Sequence, residues 1–278
     1  NLREVAKMPM QVQDHLLVVP AGINGQWVKF VVDTGAERTT LSAATADRLK
    51  LPRDARFTTR SLGVGGISTT SDAQVERLVL GGVRFPLDRL AVGNFKLQNS
   101  RGLDADGLLG ADILLAFDLD IDTPGGALTL YHATVCPSVK PPWPYPAVEI
   151  PGVSARKDRL LLPFTLDDVA GTAILDTGAQ VNLISGAMVQ RMGLKPDAFA
   201  NDPLVRQHGV GPNEVTARMH RFNTLRVGPV AFQPAYLTVM DGDAGFGDAL
   251  LGEQFLQGRR VWLSFKSRQV YVSLQGTR

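Results

Sequence analysis

Phe30-Val31-Val32-Asp33-Thr34-Gly35-Ala36 and Ala173-Ile174-Leu175-Asp176-Thr177-Gly178-Ala179 are two versions of one stretch: an apolar run, then Asp-Thr-Gly-Ala. An Asp that ends a buried strand and is followed by Thr-Gly sits on a tight turn, with its carboxylate in an apolar neighbourhood. One such turn alone means little, because Asp, Thr and Gly are ordinary turn residues. Two of them facing each other would form an acid/base pair.

Working outward, the context repeats without a gap at an offset of 143 residues. Leu17, Pro20, Ser42, Ala44, Arg48, Leu51, Asp54 and Ala55 return as Leu160, Pro163, Ser185, Ala187, Arg191, Leu194, Asp197 and Ala198. Later blocks recur with small changes of offset that belong in loops. Gly63-Val64-Gly65 answers to Gly209-Val210-Gly211, and Asp106-Gly107-Leu108-Leu109-Gly110 to Asp248-Ala249-Leu250-Leu251-Gly252. The repeat is a whole structural unit, and the division it predicts is residues 1–137, a Pro-rich strap over 138–152, and residues 153–278. So many prolines between Cys136 and Pro151 favour an extended connector.

The chain has 278 residues, 44% of them apolar and 20% charged, enough for two cores. A formal net charge of +2 with scattered Lys and Arg offers no basic stripe for nucleic acid. No apolar stretch approaches the roughly 20 residues that span a bilayer. Cys136 is the single cysteine, so no internal disulfide forms, and it lacks partners at metal-ligand spacing. The chain begins at Asn1 rather than Met, which is consistent with a removed leader.

Periodicity reads mainly as β. Short apolar or alternating runs are Leu16 to Val19, Trp27 to Val32, Val75 to Leu80, Leu87 to Val92 and Ala127 to Tyr131. Their counterparts are Leu160 to Phe164, Thr172 to Leu175, Arg221 to Val227, Ala235 to Met240 and Gln269 to Leu274. Helices are predicted at Ala43 to Leu49 and Gly186 to Met192, with Ser42 and Ser185 as N-caps.

Two apolar-Asp-Thr-Gly-Ala turns, each followed by a Gly-rich hairpin and then Leu-Leu-Gly, resemble the aspartic peptidases over nearly the whole chain. Ala after each Asp-Thr-Gly, and Gly-rich hairpins without Tyr, lean toward the retropepsin-like branch, here as a single bilobal chain of the kind typical of bacteria. The resemblance implies a mostly β fold of two pseudo-twofold-related acid-protease β-barrel lobes with short helices and a cleft between them. It implies an aspartic endopeptidase in which Asp33 and Asp176 share one proton and activate a water, without metal or cofactor. That two adjacent carboxylates cannot both ionise is a known property of this family, so the shared proton comes with the resemblance.

Thr34 and Thr177 are implied to lock the turns together across the lobes, and Gly35 and Gly178 to let the backbones approach. Ala36 and Ala179 offer no side-chain donor to lower the pKa of the pair, which predicts a milder acid optimum than a pepsin has. Gly63, Val64, Gly65 and Gly66, and Gly209, Val210 and Gly211, are implied substrate-binding flaps. Glu37-Arg38 after the first turn and Gln180-Val181 after the second make the two sides unlike. His208, beside the second flap, reads as a solvated loop residue. The acidic sets Asp104, Asp106, Asp112 and Asp241, Asp243, Asp248 lack the ladder of a calcium loop.

The expected partner is an extended polypeptide substrate, with no nucleic acid and no membrane span, bound by a monomer. The expected location is periplasmic or otherwise exported, with the cytoplasm as the alternative. An inactive peptide-binding or scaffold protein of the same fold is the competing reading.

Overall fold

The computed structural model describes residues 2–63, 66–132, 140–153, 159–207, 215–240 and 246–273. Each half is built from the same parts in the same order. In the first, the strands Leu16–Ile23 and Gln26–Val32 form an antiparallel hairpin. Asn24 and Gly25 turn it, with φ of 49° and 84°, the left-handed values a two-residue hairpin turn requires. In the second, Leu161–Leu166 and Val169–Leu175 pair in the same way around Asp167 and Asp168, with φ of 44° and 68°.

The chain leaves Val32 through the Asp33 turn and returns as Thr40–Ser42. The short strand Gly107–Leu109 then threads between the two, parallel to Gln26–Val32 and antiparallel to Thr40–Ser42. It is buried throughout, which is why it reads Gly-Leu-Leu with no polar position. A β-carbon on Gly107 would lie 2.4 Å from the Thr40 carbonyl oxygen, so only glycine fits. Ala249–Leu251 repeats the arrangement between Val169–Leu175 and Leu183–Ile184.

Two large sheets result, one per lobe, and a third binds them together. Its order is Glu4–Pro9, Ala127–His132, Phe117–Asp122, Arg260–Ser264, Gln269–Ser273, Ala147–Pro151. The central pairing, Phe117–Asp122 with Arg260–Ser264, joins one half to the other. Of the segment read as a strap, residues 147–151 are therefore an edge strand, and Trp143 packs buried against Trp262 and Tyr271. Pro151 sits at the end of that edge strand, where its missing N–H costs nothing.

The helices Ala43–Arg48 and Gly186–Arg191 stand where expected, with Ser42 and Ser185 accepting from Thr45 N and Met188 N. Two strand expectations need correction. Val75 to Leu80 is not continuous: the chain leaves Gly66–Gln74 and resumes at Leu78–Leu80. The amides of Glu76 and Arg77 are taken by the Asn24 side chain at 2.9 and 3.0 Å instead of by a neighbouring strand. Arg221 to Val227 breaks likewise between Val215–Phe222 and Leu225–Val227, where Asn223 N and Thr224 N bond to Asp167. Among the described residues, no helix is long and apolar enough to cross a membrane.

Candidate active site

Both Asp-Thr-Gly-Ala turns hang from the threaded strands. Asp33 N donates to Leu109 O at 3.0 Å and Asp176 N to Leu251 O at 2.9 Å. Ala111 N reaches Ala36 O, and Glu253 N reaches Ala179 O, both at 2.8 Å. Gly110 N and Gly252 N take the side chains of Thr39 and Asn182, at 3.0 and 2.9 Å. Backbone groups that a tight turn cannot pair internally are thus satisfied from the neighbouring strand, which fixes both turns in place.

The turns meet across the pseudo-twofold axis. Thr34 N donates to Thr177 Oγ1 and Thr177 N to Thr34 Oγ1, both at 3.1 Å. Each hydroxyl in turn donates to a carbonyl of the opposite lobe: Thr34 to Leu175 O at 2.7 Å, Thr177 to Val32 O at 2.6 Å. The side chains are buried, so loss of either hydroxyl would strand polar groups in both lobes.

Asp33 and Asp176 are brought together by this lock, each carboxyl group against the other's turn. A β-carbon on Gly35 would lie 2.4 Å from Asp176 Oδ2, and one on Gly178 would lie 2.3 Å from Asp33 Cγ. Each glycine thus vacates the space that the opposite carboxylate fills. Asp33 Oδ1 accepts from Gly35 N at 3.0 Å and Ala36 N at 2.8 Å. Asp176 Oδ1 accepts from Gly178 N at 2.9 Å, while Ala179 N turns to the Asp176 carbonyl. Ala36, expected only to lack a side-chain donor, is itself a backbone donor to the pair.

Burial, and then the charge of Asp176, raises the pKa of Asp33 well above the ordinary carboxylate range against the pull of the two amides. Burial raises Asp176 too, opposed by the Gly178 amide. The two titrate as one unit that keeps a proton at pH values where a free Asp has lost it.

Around the dyad the lobes differ. Glu37 faces Arg159 at 3.8 Å, whereas Gln180 Nε2 donates to Asp14 O at 2.7 Å; each tie crosses to the other lobe. Of the Gly-rich tips, Gly63 and Gly66 pair at the end of the hairpin Arg53–Gly63/Gly66–Gln74. Val64, Gly65, Gly209, Val210 and Gly211 lie outside the described residues, as do His208, Cys136, Asp241 and Asp243.

The remaining acids have structural work. Asp106 accepts from Lys29 N at 2.9 Å and pairs with Arg48 at 2.5 Å. Asp248 does the same with Thr172 N and Arg191, both at 2.9 Å. Asp112 accepts from both the amide and hydroxyl of Thr39. These struts escaped sequence reading, although Arg48/Arg191 and Asp106/Asp248 both recur in the repeat. Thr39 and Asn182, unlike in type, left no comparable signal. Among the described residues, no group of three or more His, Cys, Asp or Glu is placed to hold a metal ion.

Two lobes with crossing strands and paired Asp turns define the acid-protease fold. A family model described as "Aspartyl protease" matches residues 19–113, and one described as "gag-polyprotein putative aspartyl protease" matches residues 162–258. Each half of the chain thus matches an aspartyl protease model, and together with the fold these matches support a retropepsin-like aspartic peptidase.

The crystal structure of the aspartic proteinase from Irpex lacteus superposes with a TM-score of 0.58 at 14% identity, over 98% of this chain and 97% of that one. At that identity the likeness concerns the fold. The UBA domain-containing protein Mud1 of Schizosaccharomyces pombe is 32% identical over 121 residues, 43% of this chain and 34% of that protein. The DNA damage-inducible protein 1 of Phaeosphaeria nodorum is 29% identical over 119 residues, 42% of this chain and 25% of that one. The matches thus span only a quarter to a third of these curated relatives. Both are fungal, and they lend no support to the bacterial, exported setting expected above.

Proposed function

We propose that the chain is an aspartic endopeptidase in which Asp33 and Asp176 hydrolyse peptide bonds through a water held between them. The observation that supports this most is the mutual placement of the carboxyl groups, each in the space left by the other turn's glycine. The ionised member takes a proton from the water, which attacks the peptide carbonyl. The protonated member hydrogen-bonds to the carbonyl oxygen as charge develops there, then supplies the proton that the leaving amine needs. Thr34, Thr177, Gly35, Gly178, Ala36 and Ala179 hold the pair at that separation.

The substrate is an extended polypeptide lying between the lobes, covered by the hairpin Arg53–Gly63/Gly66–Gln74 and by the paired strands Leu204–Gln207 and Val215–Phe222. A single chain carrying both half-sites acts as a monomer, with lobes 1–137 and 153–278 joined through 138–152. Incubation with a diverse peptide mixture tests the reading. Wild type is expected to cleave at least about a thousandfold faster than Asp33→Asn or Asp176→Asn, the loss typical of removing one member of a catalytic unit. Equal rates for wild type and both variants would instead favour a peptide-binding scaffold.

A further inference from the structure

Arg38 stands five residues beyond Asp33, and its two ends are held by different parts of the first lobe. Its backbone is clamped beneath the threaded strand: a β-carbon on Gly110 would lie 2.5 Å from the Arg38 carbonyl carbon, and Thr40 Oγ1 donates to Arg38 O at 2.9 Å. Its guanidinium reaches into the hairpin Arg53–Gly63/Gly66–Gln74. There Nη1 donates to Thr59 Oγ1 at 2.5 Å and Nη2 to Asp72 Oδ2 at 3.3 Å. Thr59 closes the triangle by donating to Asp72 Oδ1 at 2.5 Å.

Asp72 is 3% exposed at its side chain. Without Arg38 its carboxylate would keep one hydrogen bond, from Thr59, and only the more distant charge of Arg89, a costly state that the hairpin would relieve by shifting. A register irregularity between Asp54 and Thr58 interrupts the ladder at the hairpin's base, so fewer cross-strand bonds oppose such a shift there. The second lobe is built otherwise. Val181 occupies the place of Arg38 143 residues on, and it packs with Val205 against an apolar cluster of Ile174, Leu183, Ala217 and Met240.

We propose that Arg38 is a positioning residue that brackets the first hairpin to the Asp33 turn through Thr59 and Asp72, so that this lid is held at one height above the cleft by directional bonds. In the second lobe the residue in that place, Val181, meets the hairpin through apolar contacts, and the hairpin's own polar ties run from Arg218 and His220 to residues 200–202. The effect on substrate rests on the peptidase reading above; the bracket itself does not.

Amide hydrogen exchange of the substrate-free protein, with peptide hydrolysis alongside, tests both parts. In Arg38→Gln, amides of residues 57–72 should exchange about tenfold faster, the effect of losing a charge-assisted bond, while residues 215–222 stay unchanged as an internal control of folding. Thr59→Val and Asp72→Asn should give the same local pattern, and Arg38→Gln with Asp72→Asn no more than the single changes. In hydrolysis, KM should rise about five- to tenfold with kcat within about twofold of wild type and the pH profile unmoved. Unchanged exchange in the first hairpin, or equal acceleration in both lobes, would overturn the bracket. Altered exchange with an unaltered KM would overturn its role toward substrate. If wild type cleaves nothing, the peptidase reading fails while the exchange result still decides the bracket.

Discussion

At Gly35 and Gly178 the demand is for absence of a side chain. A β-carbon at either would push into the opposite carboxylate, which could yield only by swinging away from its partner Asp. Gly35→Ala and Gly178→Ala should each cost about 1–3 kcal/mol in overpacking and remove peptide hydrolysis altogether, as thermal unfolding and a cleavage assay would show. The dyad itself carries the opposite trade. Folding raises the pKa of the pair, so between about pH 4 and that raised value the native state binds more protons than the unfolded one and stability falls as pH rises. Asp33→Asn removes this penalty. It should be more stable than wild type at pH 7, by on the order of 2 kcal/mol in thermal unfolding, with the gap closing toward pH 4. A constant gap across that range would show that the pair is not strained. On the proposed activity, the raised value keeps one proton on the pair through mildly acidic buffer, so hydrolysis should persist around roughly pH 5 to 6 in a pH–rate profile.

Among the elements, the strands Gly107–Leu109 and Ala249–Leu251 carry the turns, and acids at their entrances hold them. Asp106 and Asp248 were legible as a repeat but not as struts, because sequence separation hides that Arg48 and Lys29 reach one and Arg191 and Thr172 the other. Burial raises Asp248, but Arg191 and the Thr172 amide outweigh it and hold it below the usual range. Its stabilising effect is therefore present above the unfolded value and lost as pH falls through the folded one. Asp248→Asn should destabilise at neutral pH by about 1–2 kcal/mol and make less difference below about pH 3, measured by urea unfolding. The broken strands at 75–77 and 223–224 were misread for a related reason. Alternation in sequence does not reveal that Asn24 and Asp167, each at a hairpin tip, intercept the amides. Ser42 and Ser185 were read correctly because a cap acts on the next residues in sequence, where pattern is visible.

For the whole molecule, the duplicated Asp-Thr-Gly-Ala was enough to foresee two lobes and the facing carboxylates. The six-stranded sheet was not foreseen as the joint, since its strands come from 4–9, 117–132, 147–151 and 260–273 and no local pattern tells which will pair. That sheet makes the lobes interdependent. Phe117–Asp122 pairs with Arg260–Ser264 along its length, and Arg260 grips Asp120 at 2.8 and 2.7 Å. Residues 1–137 and 153–278 expressed separately should each expose that edge and aggregate or stay partly unfolded, yet recover structure when mixed; circular dichroism and gel filtration would show it. Independent, stable halves would mean that the sheet is a contact rather than a joint.

The chemistry proposed for this molecule requires Asp33 and Asp176 to own one proton between them. Titration followed by NMR at the carboxyl carbons of labelled aspartate, in wild type and in Asp33→Asn, measures that sharing. The pair should titrate in two separated steps, the upper one well above the ordinary Asp value of about 4, and Asp176 should titrate in a single step once Asp33 is replaced. Two independent titrations at the ordinary Asp value, unchanged for Asp176 by the substitution, would contradict it.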